Sequence, residues 1–161
     1  MTRIRQGRSA YDTALDYLTS KDRTVREIEN RLDEGNFSET EISDTVEKLK
    51  KCGLIDDARY AHNFVESRLN TKPVSKQKLR MQLAEHFIDA SLIDEALQEV
   101  SDETEYGNAA AVADKYYRQF SNLDEEERIR RVGKRLISRG YTYDCIKKIL
   151  EELPVRNEDN G

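Results

Sequence analysis

The sequence predicts an all-α protein built from three tandem three-helix repeats. Three observations carry that prediction. Apolar residues recur at helical spacing along the chain. One apolar pattern appears three times, anchored on Leu32, Leu83 and Leu136. Breakers are sparse: two prolines and seven glycines in 161 residues, with 37% of positions charged. Such a chain favours many exposed helical faces over one thick core.

Around each anchor the same positions are apolar. Four residues before stand Ile28, Leu79 and Val132. Five after stand Phe37, Ile88 and Tyr141. Then come Ile42, Val46 and Leu49 in the first copy, Ile93, Leu97 and Val100 in the second, and Ile146, Leu150 and Leu153 in the third. Their spacing is the i, i+4, i+7 stripe of a helix. A further helix precedes each pair, marked by Ala14, Ala61 and Ala113, each followed at i+3 by Tyr17, Phe64 or Tyr116.

In chain order the expected helices are 9–21, 24–34, 39–52, 57–70, 75–86, 90–101, 106–120, 124–138 and 142–153. Thr24 with Glu27 forms a capping box that opens the second helix, and Ser75 holds the corresponding place in the next copy. Ser38 with Glu41 opens the third, and Asp89 and Thr142 stand at the equivalent positions. Gly53 can take the left-handed conformation that stops a helix, with Leu54 supplying the apolar contact. Asp56 caps the fourth helix and Asp57 adds an acid to its first turn. Asp124 to Arg128, reading DEEER, is the acidic first turn of the eighth. Pro154 is a breaker, and the polar residues after it are expected to fray.

The domain organisation follows: a basic arm at 1–8, repeats at 9–55, 56–103 and 104–153, and a polar tail at 154–161. A unit of this size is marginal alone. Three in series predict an elongated, curved, right-handed-type helical array in which each repeat touches mainly its neighbours.

Composition narrows the function classes. A net charge of −5 gives no global pull toward nucleic acid. Cys52 and Cys145 form no CxxC pair and read as reduced thiols. No apolar stretch follows the basic N-terminus and none is long enough to span a bilayer, so a soluble cytoplasmic protein is expected. His62 and His86 lie on different helices without metal-ligand spacing, and His86 reads as a solvated residue in a turn. Phosphate-binding loops and nucleophile motifs are absent from the sequence. Asp56 and Asp57 could be an acid/base pair, but their place between Gly53 and a new apolar face reads as a joint. Neither a catalytic site nor a metal or cofactor is expected.

Basic residues are the stronger signal. Arg68, Lys72, Lys76, Lys78 and Arg80 lie in a stretch without acids. Arg128, Arg130, Arg131, Lys134, Arg135, Arg139, Lys147 and Lys148 face one acid, Asp144. Both runs centre on the second helix of a repeat. A solvated helix face explains either run alone. Their recurrence in adjacent repeats suggests a strip for phosphates or an acidic protein. Arg3, Arg5 and Arg8 add a short basic arm. Tyr116 and Tyr117 read as packing residues.

The stretches GLIDDARYA (53–61), LRMQLAEHFID (79–89) and LISRGYTYDCIKKIL (136–150) resemble the RecX family of bacterial recombination regulators. The resemblance covers residues 10–153. Two departures stand out: EHFI replaces a lysine–glycine pair common in the family, and the overall balance is acidic. The resemblance implies a regulator without catalysis of its own, and a monomer is expected. It would bind the groove of the RecA–single-stranded DNA filament and inhibit RecA recombinase, ATPase and coprotease activity in DNA repair and the SOS response. Direct contact with single-stranded DNA stays open. Charge pattern alone nominates Lys76, Lys78, Arg80, Arg128, Arg130, Arg131, Lys134, Arg135 and Arg139 as the partner face. The alternative is a DNA-binding protein built from helix-turn-helix-like repeats. Its third helices begin poor in base-reading Arg, Asn and Gln.

Overall fold

The computed structural model describes residues 7–159, with side chains through 153. Among the described residues there are nine helices and no strand: α1 (Ala10–Ser20), α2 (Val25–Glu34), α3 (Glu39–Lys51), α4 (Asp57–Thr71), α5 (Lys76–Glu85), α6 (Ala90–Gln98), α7 (Asp102–Gln119), α8 (Glu125–Ser138) and α9 (Tyr143–Asp159). The anchors Leu32, Leu83 and Leu136 and the alanines Ala14, Ala61 and Ala113 are fully buried. Within the repeated stripe, Ile42 and Leu150 are half-buried and the other positions buried.

Local chemistry sets the helix ends. Thr24 and Ser38 each form a capping box, with Glu27 and Glu41 respectively. The Asp56 carboxylate accepts the Arg59 N–H at 3.1 Å, and Thr142 Oγ1 accepts the Cys145 N–H at 3.3 Å. Each second helix ends in the same backbone hydrogen bond. Phe37, Ile88 and Tyr141 donate back to the anchor carbonyls of Leu32, Leu83 and Leu136 at 3.2, 3.3 and 3.3 Å. This is a Schellman stop, which needs a left-handed residue just before the returning N–H. Asn36, Phe87 and Gly140 supply it at φ 61°, 63° and 86°. Gly53, at φ 70°, does the same after α3.

Three expectations need correction. Leu54 is exposed, and Ile55 beside it is buried instead, so the apolar contact after Gly53 comes one residue later. α7 starts earlier than 106, because Ser101 accepts the Thr104 N–H and Asp102, Glu103 and Glu105 fill its first turn. These acids are helix-starting charges at the positive end of the dipole. α9 runs past Pro154 to Asp159. Proline's own φ is helical, so its missing N–H removes one bond without ending the helix.

By contact density the chain forms two compact units. Unit 1 comprises Met1–Phe64 with Leu83–Ala96, and unit 2 comprises Val65–Gln82 with Leu97–Gly161. The helices of the middle repeat contribute to both. The core of unit 1 includes Ala14, Ile28, Leu32, Leu49 and Ile55. That of unit 2 includes Ala113, Tyr117, Val132, Leu136, Ile149 and Leu153.

Each unit contains one joint between successive repeats, and the two joints are built alike. In unit 1, Thr24 at the start of α2 donates its hydroxyl to the His86 carbonyl, just past α5, at 2.8 Å. In unit 2, the Ser75 N–H at the start of α5 donates to the Arg139 carbonyl, just past α8, at 2.9 Å. The positive end of one second helix thus meets the negative end of the next. A carboxylate from the following repeat completes each joint. Asp57 of α4 accepts the Val25 N–H at 2.9 Å, and Glu105 of α7 accepts the Lys76 N–H at 2.6 Å.

Candidate partner-binding face

The cations nominated from sequence separate into three groups. Arg128 and Arg139 are internal ties and leave the candidate face. Arg128 lies over the Tyr117 ring, 3.3 Å from its centroid, and donates to the Tyr117 carbonyl at 2.6 Å. Tyr117 in turn donates to Glu125 at 2.9 Å, which closes a knot at the start of α8. Arg139 is only 8% exposed and donates to the Pro73 carbonyl at 2.9 Å and the Tyr116 hydroxyl at 3.1 Å. That bond, foremost, lowers the Tyr116 pKa. Spacing could not separate these two arginines from their neighbours, because Tyr117, Pro73 and Tyr116, to which they are tied, lie outside α8.

Lys76 and Lys78 are half-buried at the unit 2 joint. Lys76 pairs with Asp102 at 3.0 Å. Lys78 reaches across and donates to the Ser138 carbonyl at the end of α8. There its charge complements the helix dipole.

The remaining group is exposed. Arg130, Arg131, Lys134 and Arg135 project from α8 and Arg80 from α5. Arg131, Lys134 and Arg135 fall at i, i+3 and i+4, so they share one face. Glu127 steadies its first turn, accepting from Arg130 and Arg131 at 2.8 Å each. Those bonds, Arg130's first, hold the Glu127 carboxyl down at about 2. Arg135 sits 5.0 Å from the Tyr116 ring centroid. Arg130, Arg131 and Arg135, held in this way, lose less side-chain freedom on meeting phosphate or carboxylate. Arg8, also exposed, pairs with Asp16, while Arg3 and Arg5 lie outside the described residues.

The groove between α2 and α3 has another character. Glu29, Asp33, Glu39 and Glu47 line it with two cations, Arg26 and Lys50. Repeat 1 therefore presents a net acidic groove here.

His86 departs from expectation. It is half-buried rather than solvated: it packs against both Tyr60 and Phe64, with ring centroids 5.7 and 5.6 Å away, and its Nδ1 lies 3.4 Å from Glu27. Among the described residues no group of three or more His, Cys, Asp or Glu is placed to hold a metal ion. Asp56 and Asp57 are both used as helix caps. No described helix is long and apolar enough to cross a membrane.

These features define a class: an all-α repeat protein whose distinctive chemistry is a row of oriented cations on one helix. The chain belongs to the RecX family. Models of the family's first, second and third three-helix domains match residues 10–49, 56–97 and 103–150. A regulatory protein RecX from Prosthecochloris aestuarii is 31% identical, over 91% of this chain and 94% of that relative. One from Clostridioides difficile is 28% identical, over 89% of this chain and 68% of that relative. The crystal structure of RecX from Lactobacillus salivarius superposes with a TM-score of 0.76 at 27% identity, covering 91% of this chain and 95% of that one.

Proposed function

We propose that this protein binds the RecA–single-stranded DNA filament, lies in its groove, and restrains RecA's recombinase, ATPase and coprotease activities. Family membership supports the regulatory role. The observation that carries the contact assignment is the exposed α8 face of Arg131, Lys134 and Arg135. Phosphates of the filament's DNA or carboxylates of its protein are the chemistry this face fits. A chain seated there acts sterically: it blocks a second DNA and biases the filament toward an inactive state. It acts as a monomer in the cytoplasm, as part of DNA repair and the SOS response.

The test is a charge reversal. Arg131→Glu with Arg135→Glu should weaken co-sedimentation with RecA on single-stranded DNA and make what remains less sensitive to salt, at unchanged helical content. Undiminished inhibition of the DNA-dependent ATPase by this variant would move the contact face elsewhere.

A further inference from the structure

Three equivalent turns close the second helices, and one is chemically out of place. Asn36 and Gly140 are residue types that accept the left-handed conformation. Phe87 holds it at φ 63° with a bulky side chain, an arrangement that costs free energy. A strained residue persists where the surroundings compensate or where its position serves a function. Burial does not compensate here, because Phe87 is 52% exposed. Ala84, Ala90 and Ser91, a few positions away on either side, are small and exposed, so none of them sets a bulky side chain beside the ring. The turn is otherwise acidic: Glu85 and Asp89 are exposed on either side of it.

We infer that Phe87 is an apolar anchor for the protein component of the filament, entering a pocket on that protein whose rim is basic. The inference rests on the filament-binding reading but concerns residues other than the α8 cations. Aromatic side chains at exposed turns supply large contact area at low entropic cost. The flanking carboxylates select the class of partner. They repel phosphates, which disfavours base stacking on nucleic acid, and they complement Lys or Arg beside an apolar pocket. Phe87 would then be held strained because the turn presents it outward.

The test uses opposite signs in stability and binding. Phe87→Gly removes the strain and the ring together. Its melting temperature should rise by about 2–4 °C. Its affinity for RecA-coated single-stranded DNA should fall at least about tenfold. Affinity for the bare DNA should not change. Phe87→Tyr should keep both the affinity and the melting temperature of the original chain. A lower melting temperature for Phe87→Gly would make the ring a packing residue and overturn the inference. So would unaltered filament binding, or an equal loss on bare DNA, which would assign the ring to nucleic acid. Failure of the unsubstituted chain to bind the filament would overturn the functional reading itself, and this partner with it.

Discussion

The Asp57 carboxylate accepts the Val25 N–H at 2.9 Å, so an acid at the start of α4 caps the start of α2. Glu105 does the same for Lys76 in unit 2. In each case a helix of one repeat satisfies a donor that the previous repeat leaves open. Neighbour dependence is thereby written into single hydrogen bonds as well as apolar area.

Burial, foremost, raises the Asp57 pKa above the ordinary carboxylate value, against the opposing effects of the Val25 bond and Lys50. The folded state therefore holds the proton more tightly than the unfolded state. The contribution of this group is fullest below the unfolded pKa and is lost as pH rises through the folded value. Asp57→Asn keeps an acceptor without the charge, so it should match or exceed the original chain at pH 7. That advantage should vanish as pH falls below about 4. Asp57→Ala leaves the Val25 donor unpaired and should cost about 1–2 kcal/mol at pH 7. Urea melts across pH 3–7 read both, and an Asn variant as unstable as the Ala variant would refute the charge argument.

Tyr141 presents a buried conflict. Its ring fills the unit 2 core, and its hydroxyl has no hydrogen-bond partner among the described residues. Burial pushes its pKa up to about 12. Tyr141→Phe keeps the ring and removes the unpaired group. It should be neutral or stabilising by up to about 1 kcal/mol. Thermal unfolding checks this; a clear loss of stability would mean that the hydroxyl has a structural role.

Arg139 can be tested apart from the exposed cations. Arg139→Met should destabilise by about 1–3 kcal/mol, because it strips donors from the Pro73 carbonyl and the Tyr116 hydroxyl. It should also return the Tyr116 phenol upward toward its ordinary range, since the Arg139 bond is the main cause of its lowering. Tyrosine ring NMR across alkaline pH follows that shift. Arg139→Lys keeps a charge but not the fork that reaches two acceptors, so it should rescue only part of the stability.

What could be read from the sequence was local. Leucine anchors, stripes and N-caps depend on spacing within one helix, and Leu32, Leu83, Leu136, Ser38 and Asp56 behave as that spacing requires. The joints were not legible. Nothing within a few residues of Glu105 points to Lys76, and nothing beside Arg139 points to Pro73. Those pairings exist only once the repeats meet. Charge counting consequently placed Arg139 among surface cations beside Arg135. Near-neighbour ambiguity caused the miss at Leu54: it and Ile55 are equally apolar, and the fold decides which one is buried.

Gly53 and Gly140 separate the cost of backbone handedness from the cost of crowding. Both are left-handed, at φ 70° and 86°. A Cβ on Gly53 would meet nothing within 4 Å, so Gly53→Ala should cost only the left-handed term, about 1–2 kcal/mol. A Cβ on Gly140 would lie 2.6 Å from Ser75 Oγ and 2.9 Å from Lys78 Cβ. Neither neighbour can yield freely. The Ser75 N–H holds the Arg139 carbonyl, and Ser75 Oγ accepts the Lys78 N–H at 3.0 Å. Gly140→Ala therefore has to open the joint between α5 and α8. It should cost at least about 1 kcal/mol more than Gly53→Ala, at the lower end of overpacking penalties. Urea denaturation of the two variants gives the difference directly. Equal losses would mean that the joint relaxes around a methyl group and contributes little rigidity to unit 2.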